Sequence, residues 1–533
     1  MPTINVGNLE NQEEILDYLK RIYANVFDVS AIDWQAFFNA RATGELFSTK
    51  FYNLSVTNTA QGEKMNDSIG KECTPSTNLV KNRDDFASFN AFWFCYCNFI
   101  VSDDGQKTIT AIQGQKNFSR TGKVNVGILT PPLYYGISKV SDGEIWHLSD
   151  KPNRELGLVL MPHCKDNKGK EMPYGVLPVY YAGDIDGKLY GSSGLPVKNF
   201  ISYMSLHTEM SKLGTGYVGA GSERSIYLKT MLRIKYAFSS SQKVFQGNTA
   251  NNQQIKVATA IENVTYFPVS ASYANGFYVG EDVSIGDATG HTDNLDRGNS
   301  YMRNIADKVL ITKIETESDE IVRIYVDVET PFNLTADSYL STMPLHSGTT
   351  DDVLGNDGYI ANDGKHAFKL QGLEEEIGAY MVSSNEVMNK ETATKTVFYH
   401  KNYGDYHSDN SILTNYKKIG EFTKEDSTDF WIGEVDIDLE TGAEVPRTIG
   451  SGDSVGTGDR YYFGGTGIGF REYLTRGNLR NGSFAGLSYL NGRNDLSNAR
   501  WNYAVCISKK MCRLSDFTHH SVREIGLPET VLK

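Results

Sequence analysis

The chain has 533 residues, 40% of them hydrophobic and 22% charged, and a formal net charge of −13. That length supports several cores, while the acidic balance argues against a nucleic-acid wrapper, which needs a basic stripe to neutralise phosphates. Six cysteines are too few for a disulfide framework, and abundant Gly (50) and Tyr (31) suit short strands joined by turns.

The opening Met-Pro-Thr-Ile-Asn-Val lacks the basic and apolar regions of a signal peptide. Asn11 is placed to cap a helix to about Val26, with Ile15, Leu16, Leu19, Ile22, Tyr23 and Val26 at helical spacing. A second amphipathic stretch carries Ile32, Trp34, Phe37 and Phe38, so residues 1–50 read as a helical segment. Residues 51–249 read as a mixed α+β region with short β-like runs at 124–129, 158–161 and 176–181. The apolar run 86–101 is too short for a membrane span and is expected to be a buried aromatic strand pair. A helix is predicted over 222–238, with Ser222 as N-cap and Ile226, Met231, Leu232 and Tyr236 facing a core. Residues 250–352 read as a small β unit in which 308–315 pairs with 320–328. The remainder, 353–533, begins after a Ser/Thr/Gly/Asp-rich loop at 347–358.

Most chemical motifs have a plain structural alternative. Gly214-x-Gly216-x-x-Gly219 follows no apolar strand, so a tight turn is expected rather than a dinucleotide site. Cys95 and Cys97, with His163 and Cys164, offer four zinc-type ligands, but the Cys-x-Cys spacing favours buried free thiols. Cys506 lies in an alternating run that reads as a core strand; Cys512, His519 and His520 follow it. Glu434, Asp436 and Asp438 alternate with apolar residues and fall on one strand face about 6–7 Å apart, a spacing open to Ca²⁺ but also to a solvated surface. No P-loop or His-Glu-x-x-His occurs. No enzyme activity, cofactor or metal is expected.

Residues 471–508 are the most informative stretch. Apolar anchors (Leu474, Phe484, Ala485, Leu487, Leu490, Leu496, Trp501, Tyr503, Val505) alternate with Asn, Arg, Ser and Gly, a composition shared with adaptable binding loops. The pattern Arg-x-x-Leu-x-Arg-Gly-x-x-x-Asn-Gly-x-x-Ala-Gly-x-x-x-Leu, then Ser-x-Ala-x-Trp-Asn-Tyr-x-x-Cys-x-Ser, resembles the C-type-lectin-fold domain of bacteriophage tail-fibre and tropism proteins, a fold related to the formylglycine-generating enzymes. The resemblance starts near Gly358 and runs to about residue 515; upstream, 179–247 resembles a segment of phage structural proteins.

This likeness implies a β-rich, multidomain α+β protein with a C-type-lectin-like domain at 353–533. It implies a virion subunit, assembled in the host cytoplasm and acting outside the cell, that binds a bacterial surface glycan or protein. The N-terminal region would attach it to other virion proteins, and a homotrimer is favoured, without nucleic acid or membrane insertion. Its contact residues would be Arg476, Asn478, Arg480, Tyr489, Asn491, Arg493, Asn494, Asn498 and Arg500, with Asn481 and Asp495 also facing solvent. Trp501 and Leu487 are assigned to core. The chain has Trp501-Asn502-Tyr503 and no Glu-Pro-Asn, which departs from the calcium motifs of sugar-binding lectins. Alternatives are a purely architectural virion subunit and, less favoured, a surface-polysaccharide depolymerase.

Overall fold

A computed structural model describes residue 29 and residues 32–509, apart from 104, 167–168, 293, 402–405 and 466. The helix expected over 11–26, and Cys512, His519 and His520, lie outside the described residues. With 38% strand and 13% helix, the protein is β-rich α+β, as expected.

Helix α1 (Trp34–Arg41) is capped by Asp33, whose carboxylate accepts the Ala36 N–H, and it buries Trp34 and Phe38. Those rings pack on Trp93, Cys95, Cys97 and Phe99. The run 86–101 is one strand, Cys95–Val101, preceded by a 3₁₀ turn, Asn90–Phe92. The expected strand pair does not form because Phe86, Phe89 and Phe92 gather edge-on and tilted around Phe47. That arrangement matches the ring quadrupoles and needs a turn, not a ladder. Cys95–Val101 instead pairs with Lys107–Ile112 and Asn125–Thr130 in a sheet of four strands.

Two short helices, α2 (Tyr203–Ser211) and α3 (Ser222–Tyr236), follow. All residues of α3 are buried, including Glu223, Arg224, Lys229, Arg233 and Lys235. The cap is Gly221 rather than Ser222, because the Ser222 hydroxyl is used elsewhere: it donates to the Thr441 carbonyl (2.6 Å) and contacts His400 Nε2 (2.9 Å). Around α3 packs a core drawn from 47–245 and from 368–487, so the segments 51–249 and 353–509 share one interior. A pairing of Tyr217–Gly219 with Ile507–Lys509 ties them again.

Residues 250–352 have a core of their own, from Ile255 to Leu340, under a six-stranded sheet. In it Ala306–Thr316 pairs antiparallel with Ile321–Val326, as the spacing predicts. Beyond residue 380 lies a nine-stranded sheet in which Tyr380–Thr392, Gly469–Arg476, Gly486–Asn491, Arg460–Tyr462 and Phe430–Ile432 are successive neighbours.

Each buried cation of α3 has a specified place. The Arg224 guanidinium pairs with Glu375 and donates to the carbonyls of Pro178 (3.1 Å), Val179 (3.2 Å) and Glu374 (2.8 Å). Glu375 also takes Arg476 Nε (2.8 Å), so one carboxylate bridges two buried guanidiniums. Lys229 pairs with Glu444 (2.9 Å), Arg233 lies 4.2 Å from the Trp146 ring centre, and Lys235 contacts Asp84 (2.9 Å) and Asp357 (2.5 Å). Removing one partner of such a set leaves an uncompensated buried charge, at a cost of about 3–5 kcal/mol. Glu375→Gln is therefore expected to lower unfolding free energy by about that amount in equilibrium denaturation, against less than about 0.5 kcal/mol for a surface control such as Arg500→Ala. Equal effects from the two would contradict this account.

Candidate functional site

The stretch 471–508 divides into what it buries and what it shows. Gly469–Arg476 runs antiparallel to Gly486–Asn491, and residues 477–485 cross over the gap between them. Gly477 has φ +123°, and a Cβ there would come within 2.5 Å of the Ala485 Cβ, so this sharp exit favours glycine. Asn478 Oδ1 then accepts the Arg480 N–H (2.8 Å), and Asn481 Oδ1 accepts the Asn478 N–H (2.8 Å). Asn481 Nδ2 reaches the Tyr489 hydroxyl (3.3 Å), and Tyr489 stacks on Tyr380 with centroids 5.6 Å apart. Leu479 pins the crossing from below beside Met343 and Trp501.

Arg476, Asn478, Tyr489 and Asn491, expected to face solvent, are therefore buried. Each has polar partners inside: Asn478 serves the Arg480 N–H of the crossing, Asn491 Oδ1 accepts the Arg493 N–H (3.0 Å), and the Tyr489 hydroxyl meets that of Tyr380 (3.2 Å). Arg476 is drawn in by Glu375, and its Nη1 and Nη2 donate to the Leu487 carbonyl (3.2 Å) and Ser225 Oγ (3.2 Å). Trp501 and Leu487 are core, as assigned. Glu472 accepts the N–H of Tyr203 at the start of α2 (2.7 Å), and burial holds its carboxyl well above the ordinary range.

Arg480, Arg493, Asp495 and Arg500 are exposed, and Asn481, Asn494 and Asn498 half-buried. Arg480 lies 5.5 Å from the Trp501 ring centre and pairs with Asp296 (3.5 Å). Arg297 approaches the same ring at 4.7 Å, so the small β unit contributes to this support. Arg493 lies 5.0 Å from the Tyr462 ring centre and donates to its hydroxyl (2.6 Å). Arg500 Nε donates to Asn498 Oδ1 (2.8 Å), and Asp495 accepts from Ser497.

A second group joins these: Trp431, Arg460 and Tyr462, which the sequence does not mark as contact residues, and Phe484, read there as an apolar anchor but exposed in the fold. Tyr461 points into the core with Phe430 and Phe463, which turns its neighbours Arg460 and Tyr462 to the opposite face. Trp431 is paired across from Arg460, and Phe484, 37% exposed, sits edge-on against Trp431 (5.1 Å) with Arg460 at 4.5 Å from its ring. The face thus carries repeated arginine–aromatic stacks. Alternation around Tyr461 was the available signal; the strand-to-strand pairing that places Trp431 beside Arg460 is not encoded locally.

The other motifs resolve without chemistry. Gly214 and Gly216 lie between α2 and Tyr217–Gly219, and a Cβ on Gly216 would meet the Ser102 carbonyl at 1.8 Å. Cys95 and Cys97 pack against α1, whereas Cys164 packs around α3, so the proposed zinc ligands do not converge. The buried Cys506 thiol is pushed up to about 12 by burial, which keeps it protonated at neutral pH. Glu434 and Asp436 contact Arg447 (3.5 and 2.8 Å), and Asp438 contacts Lys417 (2.8 Å). Among the described residues, Cys73, Asp84 and Asp357 form the one cluster with metal-ligand spacing. Lys235 supplies the cation there, at 2.9 and 2.5 Å from the two carboxylates.

No protein-family model matches the chain, and no curated protein matches it. The fold and site define a β-rich α+β protein with an outward arginine–aromatic face on a rigid buried scaffold.

Beside Arg476 lies the buried carboxyl of Glu376. Burial holds Glu376 well above its ordinary value of 4.5, Asp459 and Glu375 add repulsion, and Arg476 opposes them. Both of its oxygens lack a hydrogen bond among the described residues. A carboxyl with a raised folded pKa contributes stability that is fully present below the unfolded pKa and is lost as pH rises through the folded one. Glu376→Gln is thus expected to match the wild type near about pH 4 and to be more stable than it at about pH 8. Denaturant midpoints at both pH values check this; no gain at the higher pH would contradict it.

Proposed function

We propose that this protein is a bacteriophage virion subunit whose C-terminal region presents the arginine–aromatic face to the host cell surface. The observation that carries the reading is that Arg480 and Arg493 are exposed and each lies against an aromatic ring. A guanidinium held against a ring is already ordered and loses little entropy on binding, and the donor forks of Arg480 and Arg493 keep N–H groups beyond those given to Asn252, Asp296 and Tyr462. Such forks suit phosphate or carboxylate groups of anionic cell-wall polymers or acidic glycans. Trimeric display would raise the effective concentration of individually weak sites. The N-terminal region would join the subunit to other virion proteins. No catalytic step, cofactor or metal enters this reading.

A purely architectural role has one observation in its favour. Leu79 is 83% exposed, Val80 54% and Leu354 40%, and the Leu354 N–H donates to the Thr77 carbonyl (3.0 Å), which gathers them on one surface. Such a patch suits contact with another subunit. The depolymerase reading is weaker, because Lys235 lies between the convergent carboxylates Asp84 and Asp357 and fills the gap a glycosidic bond would need.

The test uses the full chain, fluorescently labelled, on intact candidate host cells. Saturable binding is expected, weakened at least about tenfold by Arg480→Ala with Arg493→Ala and by added salt, with the melting temperature unchanged. Absence of binding to cells that adsorb the whole particle would overturn the recognition reading in favour of the architectural one.

A further inference from the structure

Lys235, next to last in α3, has a fully buried side chain, and its Nζ lies 2.5 Å from Asp357 Oδ2 and 2.9 Å from Asp84 Oδ2. Asp357 lies at the end of the Ser/Thr/Gly/Asp-rich loop, with its side chain 2% exposed. Asp84 precedes the Asn90–Phe92 turn and is half-buried. Three distant parts of the chain thus bring one amine and two carboxyls together inside the fold.

A hairpin completes the set. Phe368–Leu370 and Leu373–Glu375 are joined by Gln371 and Gly372, whose φ angles are 48° and 73°. A two-residue turn of that hand favours Asn or Gly over Gln, yet the Gln371 side chain has a use here. Its Oε1 accepts from Lys235 Nζ (3.2 Å), and its Nε2 donates to the Phe92 carbonyl (3.1 Å). The Gln371 backbone N–H donates to Asp357 Oδ1 (2.6 Å), and the Tyr236 hydroxyl donates to Asp357 Oδ2 (3.0 Å). Each Asp357 oxygen therefore has its own donor. An ion pair needs neither a donor on the far oxygen nor a second carboxylate; amide formation uses both.

We propose that Lys235 Nζ and Asp357 Cγ condense to an intramolecular isopeptide bond, with Asp84 as proton relay. One ammonium proton passes to Asp357 Oδ2, leaving an amine facing a carboxylic acid. Nζ attacks Cγ, and the charge that builds on Oδ1 meets the Gln371 N–H. Asp84, with an oxygen within 4.8 Å of Asp357's, takes a second proton from Nζ and delivers it to Oδ2. The Cγ–Oδ2 bond breaks and water leaves. The three ammonium protons end as one amide N–H and two on water, and Asp84 is again a carboxylate. Burial lowers the Lys235 pKa, but Asp357 and Asp84 raise it to a balance above the ordinary lysine value, so these protons move within the set rather than to solvent. Condensation replaces a buried ion pair by a neutral amide, which removes the desolvation cost of two charges, and fixed proximity favours the step. The bond ties α3 to the start of the C-terminal region. It is independent of the arginine face, and either can fail without the other.

The test is intact-mass spectrometry of the purified full chain in denaturant, followed by trypsin mapping. The wild type is expected to be lighter than its sequence by one water, with residues 235 and 357 in one branched peptide and no cleavage after Lys235. Asp357 precedes Gly358, and a succinimide formed there also loses one water, but it leaves the peptide unbranched and Lys235 cleavable. Lys235→Arg and Asp357→Ala are expected at full mass. Asp84→Asn, which keeps the relay's size but not its basicity, is expected largely at full mass, with its folding checked by circular dichroism. A wild type at full mass, a water deficit confined to an unbranched peptide spanning 357 and 358, or complete linking in Asp84→Asn would each overturn the proposal.

Discussion

One carboxylate, Glu375, holds the two buried guanidiniums of Arg224 and Arg476, and the rest of the structure depends on that arrangement. A fifteen-residue helix with four basic side chains would ordinarily lie at a surface. Here it is enclosed, and each cation meets its partner from a distant part of the chain: Glu375, Glu444, or Asp84 and Asp357, with Trp146 beneath Arg233. Isolated charges cannot be moved out of water at tolerable cost, so the helix is stable in this position only when both halves of the chain have closed around it. Burial of α3 and union of the two halves are one event.

The recognition face inherits its rigidity from that union. Arg476 belongs to the strand that leads into the 477–485 crossing, and its guanidinium is anchored in the central charge set. The crossing is then held by Asn478, Asn481 and Tyr489 from within. Polar residues in this stretch therefore perform two tasks that composition does not distinguish. Some satisfy the loop's backbone; others project from it. The small β unit takes part as well, since Arg297 and Asp296 meet Trp501 and Arg480.

The sequence conveys local facts well and pairings poorly. The α+β class, the helix at 222–236, the paired strands within 306–326 and the core positions of Trp501 and Leu487 all follow from spacing and side-chain type. Burial of Arg476, Asn478, Tyr489 and Asn491 does not, because it depends on Glu375 and Tyr380, about a hundred residues away in sequence. The same limit hides Trp431, Arg460 and Tyr462, whose side of the sheet is set by strand register.

Hydrogen–deuterium exchange on the full chain, with and without purified anionic wall polymer from a host cell, tests the central claim most directly. Without polymer, amides of 226–236 are predicted to exchange slowest in the chain, since opening them would unpair the whole buried charge set. With polymer, added protection is predicted at 477–500 and around 460–462. Rapid exchange in α3, or polymer protection confined to other surfaces, would contradict the account.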